Sequence, residues 1–538
     1  MFSLLLGLTH ALAGPPQLDS IYLVMVDRFE NGNGQNDGLA DPNKPHAFHG
    51  GDLQGLTQQL DAIEALGIDT LWLTPITAMR TEPIAEHGAY HGYWVSNGRK
   101  LEPRFGTTRD LNTFRSALEQ RGMKLLLDAV LNHVGPDTPL VAAHPEWFRK
   151  NGDITDWSDP VQRRTHDVHG LPDLDQERVD VVRHLVGDGL YWLKTARPDG
   201  FRIDAVRHMD PTFLKVWTTR MNANAETPLI FAGEIFDGNP VIVATEAASS
   251  GLTHSFDFPL YYAVTESICE GKDLRKIAAI LTQDRRYPEN HQWITFLDNH
   301  DTPRIATVCG EKTQEAFSLL TSMRGIPAIT WGTEIGLKGK TEAEARSSMR
   351  FEEHPMGPFL ARLLDDRRAY SPLTHGSTDI LKAAPDSLVI ARVMPSEAVI
   401  IRVGEGGQPI LPKEAEAGHW IAIESEGIKR WLVTPKSGNG FQAWFDRIQE
   451  DTTSTIDITI ELPSTDYLSG SDPSVGAWSP DKAVGPGTIT LPLPRGGVVA
   501  IKKLKRTEDG IVVWSAHPDH FIDVDATAIL GESVKIGR

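Results

Sequence analysis

From residue 21 to about residue 370, short apolar runs alternate with stretches in which apolar residues return every third or fourth position. An unbroken apolar run reads as a strand buried on both faces, and the wider spacing reads as a helix with one apolar stripe. The runs are 21–26, 70–73, 124–128, 201–204, 229–233, 255–258, 293–297 and 328–331. Between the first two, Leu53, Leu56, Leu60, Ile63 and Leu66 keep helical spacing, and Gly67 supplies a stop. Leu111, Phe114 and Leu118 repeat the pattern before Gly122. Helical spacing also covers 178–196, 211–222, 272–282, 312–323 and 358–368. Eight strand–helix units predict an α/β fold, a (β/α)8 barrel spanning residues 14–378.

The segment 134–172 breaks the rhythm. It is polar, rich in His, Asp and Pro, and long for a plain loop. Trp147, Phe148 and Trp157 argue against disorder, so a small folded insertion after the third strand is expected over the barrel mouth. Beyond about residue 378 the helical spacing fades. Residues 386–393 and 398–403 read as paired strands of a β domain over 379–450. Short strands separated by Gly, Pro and Asp turns then predict a second all-β unit over 451–525, followed by a tail over 526–538. At the start, an apolar run from Phe2 to Leu8 leads to Ala11-Leu12-Ala13, which predicts a cleaved leader of residues 1–13 and export to the exterior or the periplasm.

Composition narrows the partners. The formal net charge is −19, which disfavours nucleic acid and anionic membrane surfaces. No later stretch of eighteen apolar residues suggests a membrane span. Cys269 and Cys309 make neither a disulfide framework nor a thiolate metal site, and the sequence does not decide whether they pair.

Barrels of this kind carry their chemistry at the C-terminal ends of the strands. Those ends are rich in ionisable residues. The third strand runs into Asp128, Asn132 and His133, and the fourth into Arg202, Asp204, Arg207 and His208. The fifth ends at Glu234, and the seventh leads to Asp298, His300 and Asp301. Along a strand, Arg202 and Asp204 face the same side, so the arginine holds that aspartate ionised. Three convergent carboxylates with Arg and His suit either a divalent metal or glycoside chemistry. In the second case Asp204 is the ionised nucleophile and Glu234 the protonated acid/base, although spacing alone also permits the reverse.

The motifs DAVLNH, GFRIDAVRH, GEIF and FLDNHD, in that order, resemble the four best-known motifs of the α-amylase family, glycoside hydrolase family 13. AYHGYW at 89–94, LPDLD at 171–175 and RGIPAITWGTEIG at 324–336 extend the resemblance over roughly residues 20–375. It implies Asp204 as nucleophile, Glu234 as acid/base and Asp301 as the third carboxylate, which binds sugar hydroxyls. It implies Tyr93, His133, Arg202 and His300 around the sugar at the cleavage point, with Arg207 and His208 on the acceptor side. It also implies calcium, held by Asn132, Asp173 and the carbonyl of His208. A second calcium loop is suggested by Asn31, Asn33, Asn36 and Asp37 with Gly50 and Asp52.

The last segment resembles a starch-binding domain of carbohydrate-binding module family 20. There Trp478 and Trp514 match sugar-stacking tryptophans and Lys502 a polar contact, while Asp519 stands where Asn is usual. The combined expectation is a secreted, monomeric, retaining α-amylase that cuts internal α-1,4 bonds of starch, glycogen or malto-oligosaccharides. The alternative is a transglycosylase of the same family, such as a cyclodextrin glycosyltransferase. Phe236 resembles an acceptor-side aromatic of those enzymes, but their ring-shaping aromatic is His169 here. A non-catalytic glucan-binding barrel is a third reading, disfavoured by the three carboxylates.

Overall fold

The computed structural model describes residues 17–406, 409–436, 440–507, 509, 511–530 and 533–536. The leader expected at 1–13 lies outside the described residues. Eight parallel strands close into a barrel: β1 (Ile21–Val24), β2 (Thr70–Leu73), β3 (Lys124–Ala129), β4 (Gly200–Ile203), β5 (Ile230–Gly233), β6 (His254–Phe256), β7 (Gln292–Thr295) and β8 (Ile326–Thr330). Each pairs with its neighbours in sequence, and β1 closes the ring on β8. β1 and β7 end earlier than their apolar runs do, because Met25, Val26, Phe296 and Leu297 are buried in the turns that follow.

Three features were not expected. The helix foreseen over 53–66 is broken into Leu53–Gln58 and Leu60–Ala65. A hairpin of Thr77–Met79 and Val95–Leu101 follows β2. A helix, Pro240–Ser250, follows β5; its sequence PVIVATEAASS presents no clear apolar stripe. The insertion after β3 is folded. An isolated bridge joins His133 to Asp173 at its base, and another joins Phe148 to Leu174. Inside it, Trp147 stacks on His144 and donates its indole N–H to Asp180 at 3.0 Å.

The C-terminal part is built from antiparallel sheets, as expected. β9 (Ser377–Ala384), β10 (Ser387–Val393), β11 (Ala398–Gly404), β12 (His419–Ile423) and β13 (Lys429–Thr434) form one sheet in the order β9-β10-β11-β13-β12. The helix Gln442–Asp451 packs on this sheet through Trp444 and Ile448. Two smaller sheets follow, made from β14 (Thr455–Glu461), β15 (Tyr467–Gly470), β16 (Thr488–Pro494), β17 (Val498–Arg506), β18 (Val512–Trp514), β19 (His520–Asp523) and β20 (Val534–Lys535). The tail expected after 525 is instead part of this unit. Val524–Leu530 is helical, and β20 pairs parallel with β14. Both β units dock on the barrel helix Arg275–Thr282: Leu274 N donates to Pro385 O at 3.0 Å, and Val498 N to Thr282 Oγ1 at 2.8 Å. Cys269 and Cys309 form a disulfide next to this helix. No helix among the described residues is long and apolar enough to cross a membrane.

Arg324 shows what the barrel requires at its other end. It is buried between Asp257 and Asp284, bonding Asp284 at 2.6 and 2.7 Å. Removing one partner of such a cluster strands the remaining buried charges. Arg324→Met is therefore expected to cost about 3–5 kcal/mol of stability, read by thermal or urea unfolding. An unfolding midpoint like that of the parent would remove this cluster from the account of stability.

Candidate active site

Register builds the site. Across the β3–β4 pair Asp128 lies opposite Arg202, so both side chains leave the same face at the same level. Arg202 is almost wholly buried and its guanidinium meets three carboxylates. One terminal nitrogen lies 2.9 Å from Asp128 and 2.6 Å from Asp204, and the other 2.7 Å from Glu234. Burial alone would weaken the arginine's charge, but its carboxylate neighbours outweigh this and raise its pKa. Just after Asp204 the chain turns through Ala205, whose φ is +50°. That left-handed turn is unfavourable for a residue with a Cβ. It aims the Ala205 N–H at Glu234 Oε2, 3.0 Å away.

The environment separates the carboxyls. Burial pushes the Glu234 carboxyl up to about 8; Asp204 and Asp301 add to the rise and Arg202 opposes it. Burial also raises Asp301, but His300, Arg346 and Arg202 together pull it below the ordinary value. Arg346 lies 2.7 Å from Asp301, and His300 Nε2 lies 3.1 Å from it. Asp128 ties the floor together: it accepts from the Tyr93 hydroxyl at 2.9 Å and from the Trp72 indole at 3.2 Å. Tyr93 in turn lies parallel to His300, with ring centres 5.4 Å apart.

These groups line a cleft of about 920 Å³ that includes Tyr93, His133, Asp204, Glu234 and Asp301. Both ring nitrogens of His133 and Nδ1 of His300 are buried without a hydrogen-bond partner. Buried polar atoms are normally paired, so unpaired ring nitrogens beside a cleft mark places for a ligand. Burial holds His300 down to about 3 and lowers His133, so both present neutral rings. Arg207 and His208 also reach the cleft; Arg207 pairs with Asp237 at 2.7 Å, and His208 Nδ1 lies 2.9 Å from Arg163 O.

The structure thus brings together all nine residues expected at the catalytic and sugar-contacting positions. It adds Asp128 as the carboxylate that aligns Tyr93 and Arg202. It also adds Arg346 with Glu342, and Trp157 with Arg163 from the insertion. Asp128 stood in a quoted motif, and its alternation with the strand interior was the signal. The sequence marks Trp157 only as part of the folded insertion over the barrel mouth, and nothing local marks Arg346.

The expected metal positions separate into two places. Asn132 and Asp173 are both buried. One end of the Asn132 amide lies 3.2 Å from Asp173 Oδ1 and 2.9 Å from the His208 carbonyl. With nitrogen there it donates to both; with oxygen there, three oxygens face one another and suit a hard cation. The other Asp173 oxygen is held by Arg149 at 3.0 Å. In the N-terminal loop, Asn36 Oδ1 and Asp37 Oδ1 are buried without partners, which also suits a cation. Asn31 and Asn33 cap turns within the loop. Gly50 (φ +94°) lets the chain pass so close that a Cβ would lie 2.7 Å from Asn31. Asp52 is committed elsewhere: its oxygens accept from the N–H groups of Gly32, Asn33 and Gly55. No group of three His, Cys, Asp or Glu side chains placed to hold a metal occurs among the described residues.

In the C-terminal unit, Trp478 is half-buried and packs against the apolar cluster that joins the barrel to the C-terminal strands. Trp514 is half-buried on β18, opposite Leu504 of β17. Lys502 pairs with Asp519 at 3.4 Å.

Residues 23–160 and 142–358 match the α-amylase catalytic-domain family, and the chain belongs to that family. It is 30% identical to a β/α-amylase of Paenibacillus polymyxa over 66% of its own length, and spans about a third (31%) of that longer protein. It is 27% identical to a cyclomaltodextrin glucanotransferase of Klebsiella oxytoca, covering 87% of this chain and 84% of that one. Among solved structures, an Anoxybacillus α-amylase superimposes with a TM-score of 0.71 at 28% identity, over 78% of this chain and 98% of that one.

The shared guanidinium sets an expectation. Asp128→Asn leaves the shape intact but removes one of the charges that hold Arg202. It is expected to lower kcat roughly 10²-fold with little change in KM, read by steady-state kinetics on malto-oligosaccharides. Parental kcat in this variant would show that Asp128 does not align the site.

Proposed function

We propose that the protein is a retaining glycoside hydrolase of the α-amylase type, cutting internal α-1,4 bonds of starch, glycogen and malto-oligosaccharides. The observation that carries this reading is the single buried guanidinium shared by Asp204 and Glu234. Two carboxyls bonded to one guanidinium suit the closely placed nucleophile and acid/base of a covalent mechanism. Asp204 attacks the anomeric carbon, and Glu234 passes its proton to the departing glycosidic oxygen. Asp204 is then bonded to the sugar. Glu234, now ionised, takes a proton from water as the water oxygen attacks the same carbon and frees Asp204. Asp301 and the neutral histidines His133 and His300 hold sugar hydroxyls, and Tyr93 lies beneath the ring.

Transfer to a second sugar is the other reading, and one observation favours it. Phe236 and Trp157, 46% and 47% exposed, both border the cleft where Arg207 and His208 lie. Apolar rings there favour a sugar over water as acceptor.

Calcium held by Asn132, Asp173 and the His208 carbonyl would pin the insertion to the barrel and take no part in the chemistry. The Asn36–Asp37 loop would hold a second ion. Starch binding by Trp514 and Lys502, with the exposed part of Trp478, belongs to the same proposal. So does export: the apolar N-terminus supports it, as does the Cys269–Cys309 disulfide, a bond favoured in oxidising compartments.

Three results would test the chemistry. Early release of linear products as α-anomers is expected from starch, followed by chromatography and anomer-resolved NMR; cyclic products would favour the transferase, and β-anomers would exclude retention. Glu234 works as the acid only while protonated, so kcat/KM is expected to fall as pH rises through about 8. Glu234→Gln should abolish turnover of starch, and normal activity in this variant would overturn its role.

Calcium is tested by stability. At about a hundred times the Kd of the Asp173 site, calcium bound there should stabilise the parent by about 2.7 kcal/mol over protein in EDTA, and this part of the gain should be lost in Asp173→Asn. Identical unfolding curves of the parent in calcium and EDTA would remove calcium from the account.

A further inference from the structure

The loop that carries Glu234 is fastened from outside the barrel. Five residues after Glu234, Asn239 opens the helix Pro240–Ser250, and its side-chain oxygen accepts from Val241 N at 3.0 Å. Its side-chain nitrogen points the other way and donates to the Ala477 carbonyl of the C-terminal unit at 2.8 Å. The Asn239 backbone N–H bonds Asp237 at 2.7 Å, Asp237 bonds Arg207 at 2.7 Å, and Arg207 bonds the Phe236 carbonyl at 3.2 Å. Val206 N closes the path on the Glu234 carbonyl at 3.1 Å. A continuous chain of polar contacts therefore runs from the C-terminal unit to the acid/base and to the acceptor side of the cleft.

The far end of that chain is a costly turn. Gly476, Ala477 and Trp478 follow one another with φ of +88°, +48° and +61°. Two consecutive left-handed residues with side chains cost of order 1–2 kcal/mol each. Such backbone persists only where its surroundings over-determine it, and it collects at functional sites. Here Ala477 N bonds Asp472 O at 3.1 Å and Trp478 N bonds Gly470 O at 2.8 Å. The Asp472 carboxylate is anchored by Arg286 of the barrel at 2.7 Å, and the Trp478 ring packs on the apolar cluster that joins the barrel to the C-terminal strands. Docking alone would be served by the apolar contacts of the ring. The bent backbone does something else: it presents the Ala477 carbonyl to Asn239.

We infer that the turn 476–478 is a brace that sets the position of the loop 234–239, with Asn239 and Trp478 as positioning residues for Glu234 and Arg207. The inference rests on Glu234 being the acid/base. The C-terminal unit then has a part in the chemistry at the barrel mouth, apart from any glucan it binds itself.

The test uses the full chain. Asn239→Ser keeps an oxygen to cap the helix but lacks the amide donor, and Trp478→Ala removes the packing that seats the turn. Each is assayed on maltoheptaose for kcat, KM and the pH profile, with the unfolding midpoint measured alongside. A kcat lowered roughly three- to tenfold is expected in both, with KM within twofold of the parent. The alkaline limb of the profile should move in both, and the double variant should lose no more than the worse single one. A parental kcat and pH profile in both variants, whatever happens to the midpoint, would overturn the brace and leave a docked domain. Failure of the underlying reading looks different. In that case Glu234→Gln itself would keep its activity and its alkaline limb.

Discussion

A single positive charge, taken out of water and surrounded by acids, governs this site. Three carboxylates so close together would repel one another and take up protons without discrimination. Arg202 prevents that by sitting among Asp128, Asp204 and Glu234 at bonding distance from each. The group is expensive to bury and is tolerated because every charge in it has a partner. Burial then falls unequally on the acids. Glu234 is pushed towards the protonated form while Asp301, gripped by Arg346 and His300, is drawn the other way. Burial, Arg202 and the Arg346 beside Asp301 thus divide like residues into different roles.

The barrel makes this arrangement affordable. Parallel strands in register bring Asp128 and Arg202 to one level, and alternation along β4 puts Asp204 beside them. The rest of the cleft is supplied by whatever follows each strand: the hairpin after β2, the insertion after β3, and the segment after β8 that carries Arg346. These additions differ in kind from the strands. Apart from the hairpin's own short ladder, they are held by isolated bridges and side-chain bonds, such as His133 to Asp173 and Arg80 to the Pro136 carbonyl.

Much of this could be read from the amino acids because the informative residues sit in unbroken runs. Asp204 and Glu234 directly follow apolar strands and Asp301 lies in the turn after one, so their place at the barrel mouth follows from the strands. Arg346 and Trp157 have no such neighbours; only the folded chain brings them to the cleft. The helix Pro240–Ser250 lacked a stripe and went unseen. The packing of Trp478 was not legible for a related reason. A tryptophan between turns can serve a sugar or a neighbouring domain, and nothing in its local sequence tells which surface its ring will meet. The tail after residue 525 was assigned no structure because two residues of strand carry no pattern until β14 lies beside them.

The closure of β1 on β8 has an effect on timing. Ile21 leaves the ribosome early, and its partner Ala328 is made roughly three hundred residues later. Pairings so distant in sequence form slowly, since a long loop must be ordered before the contact rewards it. Until then β1 has a neighbour on one side only, and the nascent barrel is an open, curling sheet. The seam that completes the barrel also keeps it from being completed too soon.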